Sequence, residues 1–320
     1  MPTALICGVS GQDGAYLSRF LLEKGYAVVG TSRDAYTNSF ANLRKLGVHE
    51  QVVCRSLAPN DFRSVLQVLS NVCPDEIYYL AGQSSVGMSF DQPIETMQSI
   101  SEGVMNLLEG MRFLKLPARL FKSASSEAFG DTAEPADEST PFRPRSPYGI
   151  AKATSFWLVS SYREAYGIHG CNGIMFNHES PFRPDRFVTM KIIAAAARIA
   201  AGSPEKLRLG NLNIERDWGW APEYVEGMWR VLQQEKPEDF VIASGTSHKL
   251  EEFVSKAFEL AELNWLDHVE TDASLLRPYD IAVSRANPAK AAAQLGWKAT
   301  TSFDQVVKNL FESVQERTGV

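Results

Sequence analysis

Cysteine, long apolar runs and surplus positive charge are what this 320-residue chain has little of, and each shortage excludes something. Its four cysteines, Cys7, Cys54, Cys73 and Cys171, stand far apart with no C-x-x-C pair, and its five histidines are scattered. That pattern offers neither a disulfide framework nor a zinc-ligand spacing, so no metal and a reducing, cytoplasmic setting are expected. No apolar run approaches the ~18 residues that a membrane-spanning helix needs, so no membrane partner is expected. Lys and Arg total 32 against 38 Asp and Glu, a formal net charge of −6. Nucleic acid, whose phosphates require a broad basic surface, is not an expected partner; a small anion is still allowed, since a few local arginines suffice. The opening MPTALICGVSGQDG has no basic-then-apolar signal pattern and reads as a strand entering a glycine loop.

What is present is ordinary globular composition, 44% hydrophobic and 22% charged, with length enough for one large α/β domain or two smaller ones. The first half alternates strand-like and helix-like stretches: TALICGV, AYLSRFLLEKG, YAVVGTS, DFRSVLQVLSNVCP, EIYYLAG, TMQSISEGVMNLLEGMRFL and RLFKSASS. This βαβ rhythm predicts an α/β fold with a doubly wound parallel sheet of the Rossmann type. After residue 165 the pattern loosens. Residues 1–165 are expected to form the dinucleotide-binding domain. Residues 166–320 are expected to form mostly a smaller substrate-binding lobe, with part of the chain returning to the sheet.

GVSGQDG sets Gly8, Gly11 and Gly14 as G-x-x-G-x-x-G between a strand and a helix, with Gln12 and Asp13 in the loop. Glycines there permit a tight turn and let a pyrophosphate approach the backbone at a helix N-terminus. At the end of the second strand, GTSRDA places Arg33 after Thr31 and Ser32 and just before Asp34. An arginine can neutralise and hydrogen-bond a ribose 2′-phosphate, which favours NADP over NAD.

In SPYGIAK, Ser146 is an N-cap, Pro147 opens a helix, and Tyr148 and Lys152 share one face at i and i+4. A cation beside a phenol lowers its pKa toward the working pH and makes it a usable base. KSASSEAFG ends the strand before that helix and offers Ser125 and Glu127. Ser125 can hydrogen-bond a substrate hydroxyl while Tyr148 takes its proton. Oxidation of an alcohol needs no further carboxylate. A second proton transfer does, and Glu127 supplies one.

These residues resemble the GDP-mannose 4,6-dehydratase family of extended short-chain dehydrogenase/reductases over nearly the whole chain. Beyond the shared glycine and Tyr-x-x-x-Lys motifs, the likeness rests on GQDG, SSEAFG, TPFRPRSPYGIAK, NGIMFNHESP, RFVTMKI, LRLGNLNIERDWG and NPAKAAAQLGWK. It implies a GDP-sugar substrate contacted by Asn177, Lys191, Arg216 and Arg277. It also implies oxidation at carbon 4, loss of water across carbons 5 and 6 with Glu127 as acid–base, and regeneration of NADP. Ser125 stands where the family usually has threonine, Ser56 where it has aspartate, Met190 where it has arginine and Asp280 where it has glutamate. A homodimer or homotetramer is implied, with RDAYTNSFANLRK reaching toward a neighbour's cofactor. Three alternatives stay open: a dehydratase of a related GDP-sugar such as a GDP-heptose, a nucleotide-sugar reductase or epimerase, and a silent NADP-binding regulator. Trp218 is read as structural.

Overall fold

The computed structural model describes residues 1–318. Five strands, β1 (Thr3–Cys7), β2 (Ala27–Ser32), β3 (Val52–Ser56), β4 (Glu76–Tyr79) and β5 (Arg119–Ser125), come first, with helices between them. They are followed by β6 (Thr132–Ala136), β7 (Gly170–Met175), β8 (Asn177–Glu179), β9 (Leu207–Leu209), β10 (Glu215–Trp220), β11 (Phe240–Ile242), β12 (Ser247–Lys249), β13 (Val269–Thr271) and β14 (Ser284–Ala286). Seven of these form one sheet in the order β11-β7-β5-β4-β1-β2-β3, every pair parallel. The α/β expectation is borne out. Strands β7 and β11 lie beyond residue 165, so the sheet draws on both halves of the chain.

Strand order reverses between β1 and β4, and a crevice opens there at the carboxyl ends of the strands. Local chemistry explains the helices that border it. Asp61 caps Phe62–Val72 by accepting from the Arg63 amide at 2.9 Å, and Val65, Val68 and Leu69 form its buried stripe. Ser146 caps Pro147–Tyr166 by accepting from the Gly149 amide at 3.0 Å, and Gly167 ends it with φ +68°. The long helical stretch before β5 is broken by a π turn over Gln98–Glu102. The turn leaves the Ser99 carbonyl to accept from the Tyr79 phenol at 3.2 Å.

Three short sheets take up the other strands: β12-β10-β8, β14-β6 and β13-β9. A separate apolar core joins the helices Val188–Ala200, Leu250–Leu260 and Phe303–Thr318 through Ile192, Phe253, Val254 and Leu310. Met190 is fully buried in this core, where a methionine packs without a partner for charge. Trp218 packs there too, its ring 5.4 Å from that of Phe253, while its edge also lines the pocket described below.

Candidate active site

The glycine loop leaves β1 and enters the helix Gln12–Glu23. Gly8 sits at φ +93°, and a Cβ there would lie 3.0 Å from the Ala81 backbone. At Gly14 a Cβ would lie 2.4 Å from the Gly8 carbonyl oxygen. Gly11 caps the helix without a side-chain bond, so the amides of the first turn remain available to an anion. A cleft of about 680 Å³ opens over this loop and runs out to Thr31, Ser32, Arg33 and Asp34. The Ser32 hydroxyl is buried with no hydrogen-bond partner in the protein, and a polar group of a dinucleotide would satisfy it. Asp34 turns its carboxylate onto the Tyr36 and Thr37 amides and the Thr37 hydroxyl, and Arg33 reaches Glu95 at 3.0 Å. These residues fit a dinucleotide: a backbone cradle for its pyrophosphate and polar groups at the ribose end.

At the carboxyl end of β5 a pocket of about 220 Å³ gathers Ser125, Glu127, Tyr148 and Lys152. The Ser125 hydroxyl accepts from the Glu127 amide at 3.3 Å, and it lies close enough to the Tyr148 phenol to favour the phenolate. Lys152 points at the Ser123 carbonyl (2.7 Å), and its ammonium lies 5.6 Å from the centre of the Tyr148 ring. The expected lowering of the phenol pKa is corrected here. Burial pushes Tyr148 up to about 12, outweighing the Ser125 hydrogen bond, and burial brings Lys152 down to about 8. For both groups, loss of water around the charged form is the largest effect. Burial also raises Glu127 above the usual carboxylate range, with Arg216 and Arg277 pulling it back.

The substrate-side residues divide. Asn177, Arg216 and Arg277 line the pocket. Asp280 holds both arginines, at 3.0 Å from Arg216 and 3.4 Å from Arg277. Lys191 does not line it: its ammonium is bound to the Arg208 carbonyl at 2.6 Å. Ser56 accepts from the Ala35 amide, away from the dinucleotide cleft, and Arg44 folds back onto the Ser39 carbonyl.

Two motifs that looked separate in the sequence are one network. Gln12 donates to the His178 carbonyl (3.1 Å) and accepts from the Ser180 hydroxyl (2.8 Å). His178 Nε2 lies 3.0 Å from both carboxylate oxygens of Asp13, and its Nδ1 lies 2.7 Å from the Phe176 carbonyl. With an acceptor at each ring nitrogen, the doubly protonated imidazole is the form that fits. Burial opposes that charge, but Asp13 outweighs it and raises His178; Asp13, despite burial, is held at about 2. Asp13 thus braces the glycine loop against the substrate side. Only Asn177 of FNHESP carried an expected role; His178 and Ser180 were missed, although the motif's specificity was the signal, and so was Arg183 just beyond it. No three or more His, Cys, Asp or Glu residues cluster as a metal site among the described residues. No helix among them is long and apolar enough to cross a membrane.

Fold and site together define a short-chain dehydrogenase/reductase of the extended type. Solved structures share the fold over essentially the whole chain. A Bacillus anthracis dTDP-glucose 4,6-dehydratase in complex with NAD matches with a TM-score of 0.87 at 17% identity, covering 100% of this chain and 98% of that one. The RMD protein of Pseudomonas aeruginosa, complexed with NADPH, matches with a TM-score of 0.81 at 20% identity, covering 99% and 100%. The family model described as GDP-mannose 4,6 dehydratase matches residues 5–310, and the chain belongs to that family. It is 43% identical to GDP-mannose 4,6 dehydratase 1 of Arabidopsis thaliana over 97% of this chain and 88% of the relative. It is 40% identical to GDP-mannose 4,6 dehydratase of Dictyostelium discoideum over 96% and 94%.

Proposed function

We propose that this chain converts GDP-mannose to GDP-4-keto-6-deoxymannose by an internal redox reaction with loss of water, using NADP. The observation that carries this reading is Glu127 in the same small pocket as Ser125, Tyr148 and Lys152, facing Arg216 and Arg277. When bound, the oxidised dinucleotide brings a positive ring that favours the phenolate and a site that takes up and returns a hydride. Tyr148 accepts the proton of the sugar 4-hydroxyl, and Ser125 orients that hydroxyl. The 4-ketone makes the carbon-5 proton acidic by enolate formation. Glu127 removes that proton and protonates the departing 6-hydroxyl, so its raised pKa suits both duties. Carbon 6 of the resulting 5,6-ene takes the returned hydride while carbon 5 takes a proton, the counterpart of the one Tyr148 accepted. Arg216 and Arg277, held by Asp280, bind the diphosphate of the nucleotide.

Two features support NADP over NAD: Arg33 at the cleft and Asp34 engaged in its own turn. Residues 1–165 carry the dinucleotide and the proton-transfer groups, and the later chain carries most of the nucleotide-sugar contacts. Exposed Met105, Phe113, Ile150 and Trp157 on the helices Gly103–Phe113 and Pro147–Tyr166 support a homodimer or homotetramer.

The test is to incubate purified protein with GDP-mannose and, separately, with GDP-heptose. The expected result is a 4-keto-6-deoxy product from GDP-mannose, with no net NADPH. Net NADPH without loss of water overturns the reading in favour of a simple oxidation. Product from GDP-heptose alone moves the substrate. A monomeric mass at micromolar concentration with full activity overturns the assembly.

A further inference from the structure

We propose that Arg186 is a diphosphate ligand that reaches into the dinucleotide cleft from the substrate side and binds the pyrophosphate of the cofactor. The inference rests on the dinucleotide reading above. Arg186 lines three adjoining cavities: the 680 Å³ cleft, the 220 Å³ catalytic pocket and a 510 Å³ space beside them. No other arginine does so among the described residues. Among the described residues its guanidinium meets only the Phe187 ring, at 5.1 Å, and Arg183 lies 4.3 Å from the same ring.

Charge accounting in the cleft singles it out. Of the cations lining the cleft, Arg33 is met by Glu95 at 3.0 Å, and Arg183 is held by Glu179 through two bonds of 3.0 and 3.1 Å. The lining acids are engaged as well, Asp13 by His178 and Asp34 by its own turn. Arg186 is therefore the one cation lining the cleft, among the described residues, without a carboxylate partner. A pyrophosphate on the glycine loop brings about two negative charges, while a helix N-terminus offers an equivalent of roughly +0.5. The loop itself contributes no cation. A planar, exposed guanidinium on the facing wall supplies one in a geometry suited to paired phosphate oxygens.

A diphosphate of the nucleotide sugar offers the same chemistry from the catalytic side. Arg216 and Arg277 already serve that pocket, so the dinucleotide is the assigned source. The consequence extends beyond affinity. Arg186 sits on the segment joining β8, which begins at Asn177, to the helix Val188–Ala200. Pyrophosphate on Arg186 thus holds the segment that follows the substrate-binding strand, and a bound dinucleotide strengthens GDP binding through it.

The test is equilibrium binding to the full chain, wild type against Arg186→Gln, Arg186→Lys and Arg33→Gln, with NADP, ADP-ribose, 2′-AMP and GDP as probes. Arg186→Gln is expected to weaken ADP-ribose and NADP by about tenfold and to leave 2′-AMP within twofold. Arg186→Lys should recover part of the loss, because the charge returns without the fork. Arg33→Gln should do the reverse, weakening NADP and 2′-AMP but not ADP-ribose. Wild-type affinity for ADP-ribose in Arg186→Gln overturns the proposal, and a loss confined to GDP reassigns the residue to the substrate and overturns it equally. A wild-type chain that binds neither NADP nor ADP-ribose defeats the dinucleotide reading itself, a result distinct from both.

Discussion

The dinucleotide cleft and the catalytic pocket share a wall at Asp13, Ala81, Gly82, Arg183, Arg186 and Phe187, yet they are made of different things. The cleft is made of backbone. Its floor exists because Gly8 and Gly14 have no Cβ, and its binding groups are amides at a helix start. The pocket is made of opposed side-chain charges: Asp280 pairs with buried Arg216 and with Arg277 at the rim, and all three act on the Glu127 carboxyl. A backbone site fails by steric intrusion and recognises shape; a charge site fails by losing a partner and responds to pH.

The largest break is expected in the pocket. Tyr148→Phe keeps the ring and removes the proton acceptor, so the fold survives while turnover falls by about 10²–10⁴. Near-normal turnover would remove the phenol from the chemistry. Glu127→Gln should have a similar overall effect but divide the reaction. Ser125, Tyr148 and Lys152 remain, so bound NADPH still forms in a single turnover with GDP-mannose. Absorbance near 340 nm should then persist, with little solvent deuterium entering carbon 5. Glutamine keeps the shape but cannot accept the proton. Loss of the initial absorbance rise would move Glu127 into the oxidation step.

The matching break in the cleft is smaller. Gly14→Ala drives a methyl against the Gly8 carbonyl and the Val9 backbone, where only the chain itself can yield. Overpacking of this kind costs about 1–3 kcal/mol. That cost should appear as a lower unfolding midpoint, and displacement of the loop amides from the pyrophosphate should weaken NADP by about tenfold in equilibrium titration, with the GDP affinity of the cofactor-free protein little changed. Equal losses of both ligands would show that the two regions are one unit.

This difference in construction also decides what the sequence made legible. The cleft was visible because its determinants are local: three glycines within seven residues, between a strand and a helix. Tyr148 and Lys152 were visible for the same reason, one helical turn apart. Arg216 and Asp280 are 64 positions apart, and Asp13 and His178 are 165 apart. No periodicity joins such pairs, and family likeness pointed to the arginines while leaving the carboxylate that holds them unexplained. Lys191 sits beside a residue of the second core and turns outward to Arg208, which the motif FVTMK does not disclose. The phenol was misjudged because a helix pattern reports proximity, whereas the pKa is governed by enclosure.

Asp280 tests the charge side at intermediate size. Its carboxylate raises the pKa of Glu127, beneath the larger effect of burial. Asp280→Asn removes that repulsion, so Glu127 stays ionised to lower pH, and the acid limb of the kcat profile should move down. Arg216 and Arg277 lose their brace at the same time, and KM for GDP-mannose should rise several-fold. An acid limb that stays in place or moves up would show that Glu127 does not govern it.

The smallest effect on turnover, and the sharpest contrast with the pocket, is expected from Lys122. This side chain is 1% exposed, lies on β5 behind the catalytic helix, and donates to the Lys152 carbonyl at 3.2 Å. Burial drives its pKa well below the ordinary lysine range, the Lys152 charge adds to that, and Asp239 opposes it. In the unfolded chain a lysine titrates near 10.4. Between the folded and unfolded values the unfolded state binds more protons, so stability rises with pH across that window. Lys122→Met keeps the length and removes the ionisable group. The Lys152 carbonyl still accepts from the Ser155 hydroxyl at 3.0 Å, and the Lys152 ammonium stays on Ser123. Thermal unfolding followed from pH 6 to pH 9 should therefore show a flatter pH dependence in the variant and a midpoint about 2 °C or more higher near neutrality. Turnover should change by less than about threefold, because the catalytic lysine keeps its own anchors. An unchanged pH slope would show that Lys122 does not titrate as a buried amine. A lower midpoint would show that its bond to Lys152 outweighs the cost of enclosing it.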